Sequence, residues 1–255
     1  MAGSDYRPYS IPTRPGADML SGLRGGVEYA TFKVVMDYVL AVLLLVLMAP
    51  LILAAMVLVK ATSRGPAIYS QTRLGRNGRT FRIYKIRTMY HNCEVSSGPR
   101  WSTPGDPRIT PIGRFLRFSH LDELLQLWNV LRGEMSLVGP RPERPEFAAQ
   151  LEQAIPHYRG RLFVRPGLTG LAQVQLPPDT DLASVRCKLV CDLFYIERLS
   201  FWLDLRILAA TACLLVGIPL KLSCRLFRVP DRATIGCPYP GLATEIGSLP
   251  QVQSA

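Results

Sequence analysis

Asp122 and Glu123 are adjacent carboxylates that follow Ser119 and His120 and open a leucine-rich stretch. Neighbouring helix positions point about 100° apart, so both side chains can reach one cation but cannot share one apolar face. In that arrangement one carboxylate can attack phosphorus while the other holds Mg²⁺. Ser119-x-x-Asp122 also resembles a capping box, and a helix start there would favour an ionised Asp122 with a phosphate docked beside it. Capping alone would account for the pair equally well.

Five basic residues, Lys85, Arg87, Arg114, Arg117 and Arg141, gather around this region of the sequence. Arginine is a fork for phosphate oxygens, so the cluster suits a diphosphate substrate, although any one of them alone reads as a solvated face. Arg141 stands between Pro140 and Pro142, and two prolines restrict its backbone, which favours a binding role. The sequence holds no phosphate-binding loop of NTPase type, no strand-linked Gly-x-Gly-x-x-Gly and no His-Glu-x-x-His. His91, His120 and His157 are too scattered for a Ser-His-Asp arrangement. Cys187 and Cys191 share a helical spacing but lack companions for zinc. With Cys93, Cys213, Cys224 and Cys237 they read as reduced thiols, because a chain of 255 residues does not need a disulfide framework.

The elements that must place these residues are legible in outline. Tyr38 to Val59 runs uncharged for 22 residues, about the length that spans a bilayer core, with Lys33, Asp37, Lys60 and Arg64 at its flanks. Pro50 near its middle removes a hydrogen bond and predicts a bend, and a bent helix can enter and leave by one face. Alternating residues on both sides of Gly75-Arg76-Asn77-Gly78 predict a β-hairpin. Residues 91–110 read as loop. A helix is expected from Arg114 to Leu131 with Leu121, Leu124, Leu125, Trp128 and Leu131 on one face. Further helices are expected over Glu143–His157 and Leu182–Glu197. The apolar stretch 198–222 contains Asp204 and Arg206 and reads as a helix lying on a membrane.

Thirty basic against nineteen acidic residues leave a net charge of +11, with 48% hydrophobic residues. Charge alone leaves anionic lipid, phosphate-rich ligands and nucleic acid open.

In order along the chain, the apolar run with the hairpin, GRFLRFSHLDELLQLWNVLRGEMSLVGPRPE, VRPGLTGLAQV and YIERLSFWLDLRIL resemble the bacterial sugar transferase family of monotopic phosphoglycosyl transferases. The likeness covers residues 32 to 212 and rests on several independent motifs. It implies that Asp122 attacks the sugar-bearing phosphate of a UDP-sugar, expels UMP, and passes the phosphosugar to polyprenyl phosphate. Glu123, with Asp122, would hold Mg²⁺, and Lys85, Arg117 and Arg141 would bind phosphate. The partners implied are the UDP-sugar, polyprenyl (undecaprenyl) phosphate and membrane lipid, with no nucleic acid and with a homodimer admitted. The expected pathway role is initiation of exopolysaccharide, capsule or O-antigen synthesis at the cytoplasmic face of a bacterial inner membrane.

Two departures stand out. The family breaks its re-entrant helix at a Ser-Pro pair, where this chain has Ala49-Pro50. After Leu-Ala-Gln-Val the family commonly has Asn-Gly-Arg, where this chain has Gln175-Leu176-Pro177, and Arg186 is the nearest replacement for the missing arginine.

The expected fold is α+β: a mostly helical catalytic domain with a short β-hairpin, one re-entrant membrane helix and interfacial amphipathic helices. Expected boundaries are a flexible tail over 1–30, the re-entrant helix over 31–62, the catalytic domain over 63–228 and a flexible tail over 229–255. The alternative reading is a non-catalytic, membrane-tethered basic binding module or a scaffold of the assembly machinery.

Overall fold

The structure is a computed structural model that describes residues 26–94, 98, 105–177 and 181–236. It opens with helix α1 (Gly26–Thr62), followed by the antiparallel hairpin of β1 (Ile68–Leu74) and β2 (Thr80–Ile86). The hairpin turns through Arg76–Gly78, where Asn77 and Gly78 take positive φ as a tight reversal requires.

Helix α2 (Pro111–Phe118) starts where Thr110 accepts the Gly113 amide and Pro111 supplies a preset φ. A 3₁₀ turn (Leu121–Glu123) and helix α3 (Gln126–Leu131) follow. Strand β3 (Ser136–Val138) pairs in parallel with β4 (Gly167–Thr169). Between them lie α4 (Pro145–Ala154) and a 3₁₀ segment (Tyr158–Phe163). Helices α5 (Leu171–Gln175), α6 (Leu182–Glu197), α7 (Phe201–Leu215), α8 (Leu220–Leu226) and α9 (Arg232–Ile235) complete the described chain. The result is mostly helical α+β with small sheets, as the sequence predicts.

Helix α1 is the one described helix long and apolar enough to cross a membrane by length and composition. It nevertheless docks along one stripe: Lys33, Asp37, Ala41, Ile52, Ala55 and Val59 are buried, at spacings of one helix face. Ala41 joins the main core of α3, β3 and α6, while Ile52, Ala55 and Val59 pack against Ile86 and Leu116. The opposite face exposes Val39, Leu43, Val46, Leu47, Leu53 and Val57. Exposed Phe118, Trp202, Val216 and Leu226 add apolar surface on α2, α7, α8 and the α7–α8 link.

The start of α1 is fastened by a buried polar knot. Asp204 of α7, wholly shielded from solvent, receives Lys33 Nζ at 2.6 Å, Tyr29 OH at 2.6 Å and Tyr195 OH at 2.7 Å. Ser136 Oγ lies 2.6 Å from Asp37 Oδ2 and ties the same stripe to β3. Lys33, Asp37 and Asp204, read from sequence as charges flanking apolar runs, are interior residues.

Several expectations are corrected. The helix expected over Arg114–Leu131 is two helices, because His120 adopts a left-handed conformation with φ 55° and stops the first one. Ser119 therefore ends α2 rather than capping a new helix, and its hydroxyl donates back to the Phe115 carbonyl. The break also re-aims the apolar face: Leu127 and Val130 are buried while Trp128 is half exposed. Helix α1 runs through Ala49 and Pro50 as one helix.

The tail expected from residue 229 is structured as far as Gly236. Val229 and Ile235 enter the core, and Arg232 donates to the Gln175 carbonyl. The tail expected over 1–30 gives way to helix at Gly26, and residues 1–25 lie outside the described residues, as do Cys237 and the rest of the C-terminal tail. None of the other five cysteines is in a disulfide among the described residues.

Candidate functional site

Asp122 and Glu123 sit in the tight turn between α2 and α3, and α3 is locked to the hairpin by Asn129. Asn129 donates to the Arg82 carbonyl at 2.7 Å and accepts the Tyr84 amide at 3.2 Å, so the carboxylates are held opposite β2. Lys85, the next residue on β2, then meets Glu123 Oε1 at 2.7 Å.

Arg141 arrives on a loop whose backbone is tied at every residue from Gly139 to Glu143. The Gly139 amide donates to Thr169, and the Pro140, Arg141, Pro142 and Glu143 carbonyls accept from Gly167, Arg161, Arg73 and Leu74. Prolines at 140 and 142 lack amide donors, so the loop leaves no unpaired N–H there. Gly139 is needed for the close crossing with β4, since a side chain would run into Arg165 and Gly167 backbone. The rigid placement expected from the two prolines is thus present, and Arg161, itself paired with Asp192 at 2.8 Å, is a support that the sequence did not single out.

From this loop Arg141 grips Glu123 as a fork, Nη2 to Oε1 at 2.6 Å and Nη1 to Oε2 at 3.2 Å. The two cations hold the Glu123 carboxyl well below the usual carboxylate range even though burial opposes this. Asp122 differs. It is 6% exposed, and among the described residues none donates a hydrogen bond to its carboxylate. Burial first, and then repulsion from Glu123, push its pKa up to about 6 against the pull of Lys85, Arg117 and Arg141.

Lys85, Arg87, Arg117, Asp122, Glu123 and Arg141 all line one cavity of about 900 Å³, so the structure brings the predicted site residues together. Arg117 is steadied by its Nε donating to Thr88 Oγ1 at 2.9 Å. Arg114 is exposed and does not line the cavity. Arg186 also stays out of it, donating to the Ala154 carbonyl at 3.4 Å, so it does not replace the missing family arginine there. Lys188, two positions on, does line the cavity, together with Arg144 and Arg161. Sequence reasoning missed all three, since nothing local to the chain marks them as neighbours of Asp122. Gln175 serves the fold instead, donating to Pro230 and accepting from Arg232.

No group of three or more His, Cys, Asp or Glu side chains suited to a metal occurs among the described residues. A cation here would rest on Asp122 and Glu123 alone, completed by ligand oxygens and water, which is how Mg²⁺ is held in phosphoryl-transfer sites. Glu123 retains lone pairs beyond those taken by Lys85 and Arg141, so this all-oxygen pair fits a hard cation.

Comparison with known proteins adds independent information. The family model described as bacterial sugar transferase matches residues 28–217. The chain is 46% identical over 211 residues to a UDP-glucose:undecaprenyl-phosphate glucose-1-phosphate transferase of Caulobacter vibrioides, covering 80% of this chain and 79% of that one. It is 44% identical over 194 residues to a UDP-N-acetylgalactosamine-undecaprenyl-phosphate N-acetylgalactosaminephosphotransferase of Aeromonas hydrophila, covering 76% of this chain and 46% of that protein. It is also 42% identical over 173 residues to the exopolysaccharide production protein PSS of Rhizobium leguminosarum, at 66% and 86% coverage. The chain spans less than half the length of the Aeromonas relative and most of the length of the other two.

Proposed function

This chain belongs to the bacterial sugar transferase family, and from that premise we propose that it transfers a sugar 1-phosphate from a UDP-sugar to undecaprenyl phosphate through a covalent Asp122 intermediate. The observation that carries the reading is the Asp122 carboxylate: buried, without a described hydrogen-bond donor, raised to about 6, and facing a cavity ringed by Lys85, Arg117 and Arg141. Such a group is ionised at neutral pH yet more basic than an ordinary carboxylate, which suits a nucleophile.

In the first half-reaction an Asp122 oxygen bonds to the sugar-bearing phosphorus as the bond to the UMP oxygen breaks. Lys85, Arg117 and Arg141 offset the charge on the phosphoryl oxygens and the leaving UMP. In the second, an oxygen of the lipid phosphate attacks the same phosphorus and Asp122 departs as carboxylate. Mg²⁺ held by Asp122 and Glu123 would add further charge neutralisation at those oxygens. Glu123, gripped by Lys85 and Arg141, keeps both cations in register with Asp122.

The membrane setting we propose rests on α1. The catalytic body is attached near the start of this helix through Lys33 and just past its end through Ser63, which accepts Arg87 Nη2 at 2.9 Å on its carbonyl. A body seated along the whole helix cannot stay on one side of a bilayer that the helix crosses upright. This supports a monotopic, re-entrant disposition at the cytoplasmic face of the inner membrane, with the exposed apolar face in lipid.

The test is to incubate the purified protein in lipid nanodiscs with Mg²⁺ and labelled UDP-glucose or UDP-N-acetylgalactosamine, the donors named by the relatives. A sugar-phosphate adduct on wild type that is missing in Asp122→Asn, and is discharged by undecaprenyl phosphate, is the expected result. No adduct from any UDP-sugar, with the protein folded, would transfer the case to a scaffold.

A further inference from the structure

Arg87 extends the strand direction of β2, two residues beyond Lys85, and therefore projects to the same side about 7 Å farther on. Its backbone continues the hairpin pairing through its amide to the Ala67 carbonyl at 2.8 Å. The side chain is 4% exposed and lines the cavity that holds Asp122. One nitrogen of the guanidinium is committed: Nη2 donates to Ser63 O at 2.9 Å and Ser63 Oγ at 2.7 Å, closing the end of α1. Nε and Nη1 are buried and have no hydrogen-bond partner among the described residues. A buried cation with two idle donor nitrogens is expensive unless a ligand uses them.

Gly65 makes room for this side chain. It holds φ at 108°, and any Cβ there would collide with Arg87 Nη1. Lys85 and Arg141 are meanwhile occupied by Glu123, and Arg73 and Arg144 each leave only Nε unpartnered, whereas Arg87 leaves two donor nitrogens unpartnered among the described residues.

Resting on the transferase reading above, we propose that Arg87 binds the phosphate of the lipid acceptor through N–H groups that Ser63 leaves unpaired. Location selects this anion over the donor's diphosphate. Arg87 is fastened to the residue that follows the last turn of the apolar helix, where a phosphate carried on a lipid chain would reach the cavity. The Arg87 N–H groups left over by Ser63 are single donors that suit phosphate oxygens. The donor diphosphate is left to Lys85, Arg117 and Arg141 around Asp122. A phospholipid headgroup has related chemistry, and the experiment separates the two.

The two half-reactions allow a clean measurement with wild type, Arg87→Met, Arg87→Lys and Ser63→Ala in nanodiscs. Arg87→Met is expected to form the Asp122 adduct and release UMP within about twofold of the wild-type rate, while its KM for undecaprenyl phosphate rises about tenfold or more. Arg87→Lys, which keeps charge but loses the planar set of N–H donors, should fall between them. Ser63→Ala removes one capping contact and should leave the acceptor KM within about threefold.

Slowing of adduct formation in Arg87→Met to the same extent as turnover would assign Arg87 to the donor and overturn the proposal. So would Ser63→Ala reproducing the KM defect, which would make Arg87 a helix cap only. A defect that tracks the phosphatidylglycerol content of the disc rather than acceptor concentration would mean a headgroup site, and again overturn it. Equilibrium binding of a short-chain polyprenyl phosphate, measured without donor, should weaken about tenfold in Arg87→Met. That readout needs no turnover, so it still decides the role of Arg87 if the covalent reading fails, and equal binding by both proteins would end the proposal.

Discussion

Asp204 and Asp122 are both buried carboxylates with cations nearby, and they are used in opposite ways. Asp204 is saturated by a lysine and two tyrosine hydroxyls drawn from α1 and α6, and no part of it reaches solvent. Asp122 has its cations arranged around it without a described hydrogen bond, and two of them, Lys85 and Arg141, grip Glu123 instead. A satisfied buried charge is held for structure, whereas an under-bonded one facing a cavity keeps its reactivity. Glu123 makes this possible by absorbing Lys85 and Arg141, so their field reaches Asp122 without a direct bond that would lower its basicity.

The sharpest break of this contrast is substitution at Asp122. Asp122→Asn should lower sugar-phosphate transfer by about 10³-fold or more with the fold intact, read by UMP release alongside thermal melting. Asp204→Ala should do the reverse. It strands Lys33 and two hydroxyls, destabilising the protein by about 3–5 kcal/mol in denaturant unfolding. A well-folded Asp204→Ala protein of wild-type stability would end the structural reading of the knot.

Arg141→Lys tests the bridge between these extremes. Loss of the fork on Glu123 should reduce kcat about 10- to 100-fold with a small change in melting temperature, and an unchanged kcat would mean that point charge suffices.

The smallest effect concerns pH. The pKa of Asp122 is about 6 in the folded chain against 3.8 ordinarily, so the folded state binds this proton more tightly. Its contribution to stability is present at low pH and declines as pH rises from 3.8 to about 6. Asp122→Asn should therefore be more stable than wild type at pH 7 by on the order of 2 kcal/mol without divalent cation, with the gain vanishing near pH 4. Transfer should follow the opposite course, falling below pH 6 as the nucleophile protonates.

Much of this was legible along the chain. The hairpin around Gly75–Gly78 and the helix Leu182–Glu197 were read at their observed positions, because turn residues and capping act within a few residues. The Asp181 and Ser184 side chains supply the cap for the latter. The predicted helix across Ser119 failed for a local reason that periodicity does not register, the left-handed His120. The segment after Arg228 was read as tail because its few apolar residues, Val229 and Ile235, show their value only against a core assembled elsewhere. Arg114 and Arg117 look alike in sequence, yet one faces solvent and the other the cavity.

What the sequence by itself determined is the inventory and its local geometry: an apolar helix, a hairpin bearing Lys85 and Arg87, adjacent carboxylates and an arginine between two prolines. Only the tertiary structure decided which carboxylate is saturated and which stays reactive. The partners of Asp204 lie up to 175 residues away in the chain, and Arg141 reaches Glu123 across 18. Burial, hydrogen-bond satisfaction and pKa are set by neighbours in space, and no local rule of spacing specifies those.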